Sequence, residues 1–274
     1  MSFTNFLKGW KLVVFMVNVK SPSWTYSGED TCESAPADVE VRSFYHVSVP
    51  VALRASQSNG FSTLAMPAVL EKRLECDNDS PLWGNWSLSV SSFLTGRTKS
   101  GSHTKKGGNS VGIFSHIPTM VSDPNVLERR IAGGQLVDGA LVLPHREIYR
   151  VLALDGQVVD GVRVVTVFDA KDLEAMKYGY LSENEALTHT GVLAFVGSKK
   201  MVCDYVPRHM QKYTQLGFWL PKGDLQFDQL RGRLLVLGYF DYDSFLGNDD
   251  LDLDGSGRFL GVRPLNSAVG AKKK

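Results

Sequence analysis

Residues 138–176 constrain the fold most, because they carry several strand signals in direct succession. They read DGALVLPHREIYRVLALDGQVVDGVRVVTVFDAKDLEAM. β-branched and aromatic residues favour pleated strands, and the Asp-Gly pairs at 155–156 and 160–161 are typical of tight turns. The pattern predicts strands over residues 139–154 and 161–169.

Further strand and helix patterns place these strands in a larger scaffold. Strands are predicted at residues 41–53, 86–95, 191–197, 200–206 and 232–240 from their apolar alternation and β-branched content. Short helices are predicted at residues 64–75 and 123–133, and at least one helical turn at 169–178, from Pro and Asp at start positions and Gly at an end position. The fold class predicted is α+β, predominantly β, in an antiparallel sandwich or barrel with two or three short helices.

The chain is predicted to divide into an N-terminal strand and linker, residues 1–38, and a β-rich core domain, residues 39–274, with a possible split near 177–190. The apolar run at residues 10–19 is shorter than the roughly 20 residues that span a bilayer, so we interpret it as a buried strand. The segment 21–38 is rich in Ser, Pro and acidic residues, which is typical of a linker.

Charge and cysteine content exclude some classes of function. Thirty Lys and Arg residues balance 29 Asp and Glu residues, so overall charge does not direct the chain to nucleic acid or membrane. Three cysteines without a CxxC pair argue against a disulfide scaffold or a zinc site, and indicate a reducing compartment.

Enzyme signatures are missing from the sequence. It contains no GxSxG, Walker A, GxGxxG or HExxH motif, so we expect a protein that is not an enzyme and holds no cofactor. An active site that is assembled only in three dimensions is the alternative.

The sharpest local motif is DDLDLDGSGRFLG at residues 249–261, which resembles the start of a calcium loop through Asp250, Asp252 and Asp254. The twelfth position holds Gly261 instead of a bidentate Glu, and a strand instead of a helix is predicted before it. We interpret the motif as a solvated acidic turn, with a calcium site as the alternative.

Basic residues cluster in the Gly- and Ser-rich segment 97–110, predicted to be an exposed mobile loop, and at the C-terminus. Lysine side chains near a surface attract phosphates and anionic headgroups. The predicted lipid- or nucleic-acid-binding residues are Arg97, Lys99, Lys105, Lys106, Lys272, Lys273 and Lys274.

Two patches resemble rhabdovirus matrix proteins. The strings DGALVLPHRE (138–147) and GVRVVTVFDAKDLEAM (161–176) are similar to one region of that family, and VRSFYHVSVPVALRASQSNGF (41–61) is similar to its first core strand and the loop after it. The N-terminus is apolar and lacks the family's PPxY budding motif. The resemblance covers about half of the chain.

The resemblance implies a non-enzymatic viral structural protein that self-assembles and links a ribonucleoprotein to an anionic membrane. Its partners would be itself as a homo-oligomer, the anionic membrane surface, and the viral nucleocapsid or RNA. Its locations would be the virion and the membranes and cytoplasm of the host cell, with the nucleus also possible.

Other functions fit parts of the pattern. A plant virus movement protein that binds single-stranded nucleic acid is one alternative, since the strand ending at Asp169 is followed by Gly217 or Gly238 at a similar spacing. A capsid-type β-sandwich subunit and an enzyme with an unrecognised site are the others.

Overall fold

Helices and strands alternate along most of the chain. The computed structural model describes residues 23–27, 31–35, 39–97, 110–221, 228–240, 243–248 and 251–264. The strands in chain order are β1 Ser23–Ser27, β2 Thr31–Ala35, β3 Val39–His46, β4 Ser62–Thr63, β5 Ser87–Arg97, β6 Ser110–Ser115, β7 Leu136–Val137, β8 Ala140–Val142, β9 Val158–Val159, β10 Val162–Arg163, β11 Val165–Asp169, β12 Gly179–Leu181, β13 Leu216–Trp219, β14 Arg231–Phe240, β15 Asp243–Gly247 and β16 Gly257–Pro264.

The helices lie mainly between the strands. They are α1 Val49–Ser58, α2 Met66–Leu74, α3 Pro81–Gly84, α4 Pro124–Ala132, α5 His145–Leu152, α6 Ala170–Ala175, α7 Glu183–Thr188, α8 Thr190–Val196 and α9 Lys199–Lys212, with a 3-10 turn at Met120–Ser122.

One large open sheet organises the described residues. Its strands lie in the spatial order β11, β6, β5, β14, β15, β13, β12. Neighbours along this path pair antiparallel except β13 and β15, which are parallel. The late strand β16 pairs antiparallel with β3 over the whole length of both, and also contacts β5. The last described strand, β16, therefore pairs with β3 from the first part of the chain.

Both faces of the central strands are buried. On β14, Leu235 and Leu237 belong to a core that includes residues of α2, α8 and α9. Leu234 and Val236 belong to a second core that includes residues of α1, α4 and α5. Successive strand residues point to opposite faces, so β14 separates the two cores.

The serines of β5 are buried, although the alternation Ser87, Leu88, Ser89, Val90 predicts a half-solvated strand. Every β5 residue except Arg97 is buried. The Ser92 Oγ lies 3.2 Å from the Thr119 Oγ1, and Ser89 Oγ donates a 3.4 Å hydrogen bond to the Leu235 carbonyl. A serine face can be covered when its hydroxyls find partners.

Four predicted strand segments contain helices. The second half of 41–53 lies in α1, where Pro50 occupies the first turn and not a strand edge. Most of the second half of 139–154 lies in α5, and the segments 191–197 and 200–206 lie in α8 and α9. In α9 the buried Val202, Tyr205, Val206 and His209 recur at helical spacing and cover the sheet.

Other local predictions are confirmed. The helix predicted at 64–75 is α2, and the strands predicted at 86–95 and 232–240 are β5 and β14. Asp123 caps α4 by accepting hydrogen bonds from the Asn125 and Val126 amides at 2.9 and 3.2 Å. Asp160 and Gly161 join β9 to β10 with φ angles of 50° and 80°, as a tight hairpin turn requires.

The α+β class is confirmed, with helix and strand making up similar shares of the described residues. β structure therefore does not dominate as strongly as the sequence patterns indicate, and the helices are more numerous than two or three. The predicted strand at 10–19 lies outside the described residues, and the predicted domain boundaries stay predictions. Among the helices that the structure describes, none has the length and apolarity needed to cross a membrane.

Candidate functional site: an aromatic face on an open sheet

The open face of β12, β13 and β15 carries a row of aromatic rings and glycines. Tyr180 pairs with Gly217, Gly217 with Phe245, and Phe245 with Gly238, so these four residues form one row across four neighbouring strands. Directly paired residues project to the same face of a sheet. Trp219 lies two residues after Gly217 and therefore on this face too.

The two glycines make room for the rings. A Cβ atom on Gly238 would overlap the Phe245 ring, and one on Gly217 would lie 2.8 Å from the Phe245 Cβ and 2.9 Å from the Trp219 Nε1. Glycine inside a strand marks a place where another group must approach the backbone closely. Here that group is an aromatic side chain lying on the sheet.

Tyr180, Trp219 and Phe245 form the platform, the name used below for these three rings. Tyr180 is 44% exposed, and Trp219 and Phe245 are half-buried. The Tyr180 and Trp219 rings meet edge to face, with centroids 5.7 Å apart and an interplanar angle of 89°. This is a favourable aromatic geometry that orients the Tyr180 and Trp219 rings relative to each other.

The opposite face of the same strands is fully covered. Phe218 pairs with Leu246, and Leu246 with Leu237, and all three side chains are fully buried in the core that α8 and α9 cover. The platform therefore rests on a rigid, close-packed base.

Two buried histidines tie this core together. The His116 Nε2 lies 2.9 Å from the Ala194 carbonyl and its Nδ1 lies 3.0 Å from the Ser91 Oγ, so Nε2 donates and Nδ1 accepts. The His209 Nε2 donates in the same way to the Gln215 carbonyl at 3.2 Å. Burial lowers the pKa of His116 to about 4 and that of His209 to about 3. Both imidazoles are neutral structural groups at neutral pH.

Asn248 follows β15 and lies beside the platform. Its amide nitrogen donates a 3.1 Å hydrogen bond to the Trp219 carbonyl. The residue is 1% exposed, and neither its Nδ2 nor its Oδ1 has a hydrogen-bond partner among the residues that the structure describes. An unsatisfied buried amide costs stability, so Asn248 weakens the support of the platform.

The predicted basic residues do not form part of the platform. Arg97 ends β5, where its guanidinium lies 3.4 Å from the Asp228 carboxylate. Lys99, Lys105, Lys106, Lys272, Lys273 and Lys274 lie outside the described residues, and their binding role stays a prediction.

The acidic motif docks on a neighbouring hairpin. Asp252 and Asp254 are exposed, and the Asp252 carboxylate lies against Gly139, in the turn between β7 and β8. Asp250 lies outside the described residues. Over the described ranges, no group of three or more His, Cys, Asp or Glu side chains is arranged to hold a metal ion. The calcium alternative stays a prediction.

The platform was missed at the sequence level because its residues come from three separate segments. Its signal is present in LGFW at 216–219 and in YFDYDSF at 239–245, where aromatic residues stand near strand glycines. Gly217 and Gly238 were noticed only for their spacing from Asp169. That spacing has another explanation, because Asp169 caps α6 and its strand β11 lies at the opposite end of the sheet.

Comparison with solved structures identifies the fold. The chain matches a solved structure described as "Accommodation of massive sequence variation in Nanoarchaeota by the C-type lectin fold". The sequences are 27% identical, the match covers 82% of this chain and 98% of the other, and the TM-score is 0.68. This chain is similar to a C-type lectin fold. No known family profile matches the chain, and no curated protein matches it.

The C-type lectin likeness corrects the viral interpretation. The resemblance to rhabdovirus matrix proteins is wrong, as are the matrix and movement-protein functions inferred with it. The strings that carried the resemblance are short. Within 41–61, residues 49–58 form a helix instead of the end of a strand and a loop, and another helix begins at residue 145. Self-association, membrane binding, RNA binding and cellular location are untested and stay predictions.

Proposed function

We propose that this chain is a non-enzymatic binding protein that recognises its ligand by stacking on the platform. The observation that carries the proposal is the row of Tyr180, Gly217, Phe245 and Gly238, in which glycines let partly exposed rings approach the sheet closely. Exposed large aromatic side chains that are fixed in place are typical of binding surfaces.

The chemistry of the platform supports binding in preference to catalysis. Its rings offer apolar faces and edges, with the Tyr180 hydroxyl and the Trp219 indole N–H as the polar groups of the side chains. A ligand with a flat apolar face, such as the C–H face of a sugar ring or an aromatic group, would match it. The buried histidines of the underlying core are engaged in structural hydrogen bonds.

The fold likeness is consistent with this function. The Nanoarchaeota structure is described as accommodating massive sequence variation in the C-type lectin fold. A fold that tolerates variation must keep its core separate from the residues that vary. The two faces of β13 have this separation, because Phe218 is fully buried and Trp219 is partly exposed. We infer that the platform side chains determine which ligand is bound.

The test compares tyrosines of equal exposure on and off the platform. The purified chain is screened against immobilised glycans and peptides, and the best ligand is titrated against Tyr180→Ala, Trp219→Ala and the control Tyr149→Ala. Tyr149 is 45% exposed and lies on α5, away from the platform. We expect each platform variant to weaken binding by about tenfold and the control to leave it unchanged.

The same titration can overturn the proposal. A ligand whose affinity is unaffected by both platform variants binds elsewhere, and the platform then has no recognition role. Turnover of a screened compound that persists in Trp219→Ala would identify an enzyme instead. Circular dichroism of each variant checks that the fold is retained.

A further inference from the structure

A second concave surface lies at the other end of the sheet, beside β11. It is a cleft of about 410 Å³ between β11, the β9–β10 hairpin and the adjoining ends of α8 and α9. Its size falls in the range of small-molecule sites. The platform strands β12 and β13 are at the opposite edge of the sheet, so the cleft is separate from the proposed stacking surface.

The floor of the cleft is apolar. Phe168 of β11 is half-buried and packs edge to face on the buried Phe114, with ring centroids 6.0 Å apart. Leu193 of α8 and Val158 of β9 are 39% and 58% exposed within the same cleft. Exposed large apolar side chains that converge in a concavity mark a place where an apolar group can be buried.

Two cations stand at the rim. The Arg163 amide donates a 2.7 Å hydrogen bond to the Gly197 carbonyl, which fixes the β9–β10 hairpin beside the start of α9 and its first residue, Lys199. Gly197 ends α8 with a φ of 78°, and a Cβ there would lie 2.9 Å from the Val162 Cγ1. Position 197 therefore requires glycine. The backbone contact at this glycine fixes the position of Arg163 relative to Lys199.

Arg163 and Lys199 are not neutralised by ion pairs within the described residues. Over the described ranges, neither the Arg163 nor the Lys199 side chain takes part in an ion pair or hydrogen bond. Asp172 is the one carboxylate among the described residues that line the cleft, against the two cations. The balance favours one negative charge in the cleft.

We propose that this cleft binds a small carboxylate that carries an apolar group. The apolar group would lie on Phe168 and Leu193, and the carboxylate would lie between Arg163 and Lys199. A guanidinium matches the two oxygens of a carboxylate with parallel hydrogen bonds. A phosphate dianion would exceed the net positive charge of the lining, so a monoanion fits better. The hydroxyls of Thr190 and Ser198 at the rim offer further hydrogen bonds.

The first experiment tests the need for the carboxylate. N-acetyl-phenylalanine and its C-terminal amide are titrated into the full chain and followed by calorimetry. We expect the acid to bind at least tenfold more tightly than the amide, because the amide lacks the charge that the two cations attract. Equal affinity of the two compounds, or no binding of the acid at about 1 mM, would overturn the proposal.

The second experiment tests the two residues with a matched control. Lys199→Met and Arg163→Met should each weaken binding of the acid by about tenfold. Lys200→Met changes the adjacent lysine, which forms an ion pair with Asp204 and does not line the cleft, and should have no effect. If Lys200→Met weakens binding as much as Lys199→Met, general surface charge explains the effect and the site is refuted. Trp219→Ala should leave this binding intact, which separates the cleft from the platform.

The source of the carboxylate can be found with the same assay. A short peptide ending in phenylalanine is compared with N-acetyl-phenylalanine. Tighter binding of the peptide supports a protein C-terminus as the natural ligand, and tighter binding of the acetylated amino acid supports a free small acid. A peptide whose C-terminal amide binds as well as its acid would count against the site.

Discussion

The two faces of β13 are built for different purposes. Phe218 is fully buried among aliphatic and aromatic neighbours, whereas the adjacent Trp219 lies on the open face with Tyr180 and Phe245. The covered face has the close packing that stabilises a fold. The open face has glycines that let the rings lie close to the sheet near the surface, where they add less stability, and these rings form the proposed binding platform. The difference shows that a large aromatic residue in a strand can belong to the core or to the surface. Whether helices cover its face of the sheet decides between the two.

The largest expected effect comes from removing the buried ring of Phe218, compared with removing the neighbouring ring of Trp219. Phe218→Ala should lower the free energy of unfolding by roughly 3–5 kcal/mol, because it leaves a cavity in a packed core. Trp219→Ala should cost only about 1 kcal/mol, since the indole is already partly in water. Urea unfolding of both variants measures this difference. Equal losses would mean that the open face is part of the core.

Buried histidines on the covered face make stability depend on pH. Burial lowers the pKa of His116 to about 4 from its ordinary 6.5. The folded protein disfavours the charged imidazole, so this stability is complete above pH 6.5 and is lost as pH falls from 6.5 through 4. The loss should reach about 3 kcal/mol for His116. Urea unfolding between pH 7 and pH 4 measures it.

The contribution of His116 can be separated from that of the carboxylates. His116→Gln removes one of the two buried titrating rings and should reduce the slope of the profile between pH 6.5 and 4, while His209 keeps its own contribution. His46→Gln, at an exposed histidine, is the control for the substitution itself. A profile that is the same in His116→Gln and in the unmodified chain would show that His116 is not held neutral by burial.

A glycine of the open face should show an intermediate effect. Gly238→Ala places a methyl group where the Phe245 ring lies, so the ring must move off the sheet. Overpacking of this kind should cost roughly 1–3 kcal/mol and should weaken ligand binding as well. Gly84→Ala is the control, since a Cβ there meets no atom within 4 Å. Thermal melts and ligand titrations of both variants test whether the glycine row supports the platform. Unchanged stability and binding in Gly238→Ala would show that it does not.

The sequence predicts helix caps and hairpin turns correctly where few residue types fit the backbone geometry. Asp123 before Pro124, and Asp160 before Gly161, correctly predict a helix start and a hairpin turn because cap and turn geometries restrict the residues that fit. The strand β14 was also predictable from its continuous run of apolar residues at 234–237, which is typical of a strand buried on both faces.

The helices that cover the sheet were harder to predict because they are rich in β-branched and aromatic residues. Residues 190–196 and 200–206 have the composition of strands, and tertiary packing overrides that preference. The spacing of Val202, Tyr205, Val206 and His209 contained the helical period. Composition and period conflict in this segment, and the period matches the observed helix.

The platform could not be predicted because it depends on strand order. Tyr180, Gly217 and Phe245 become neighbours only when β12, β13 and β15 lie side by side, and β13 and β15 pair in parallel across an intervening strand in the sequence. Neither hydrophobic period nor turn chemistry specifies that pairing. The cleft depends in the same way on Gly197, whose left-handed conformation places Arg163 and Lys199 at one rim.

The smallest expected effect tests whether the exposed rings stabilise the fold at all. Tyr180→Ala and Tyr149→Ala remove tyrosines that are 44% and 45% exposed, so both should change the free energy of unfolding by no more than about 0.5 kcal/mol. Urea unfolding measures the change for both variants. Only Tyr180 forms the edge-to-face pair with Trp219, so only its loss should weaken ligand binding. A loss of stability specific to Tyr180→Ala would mean that the ring secures the edge strand β12 and would remove the main reason for assigning it to recognition. Equal stabilities with unequal binding would show that the open face is kept for its ligand.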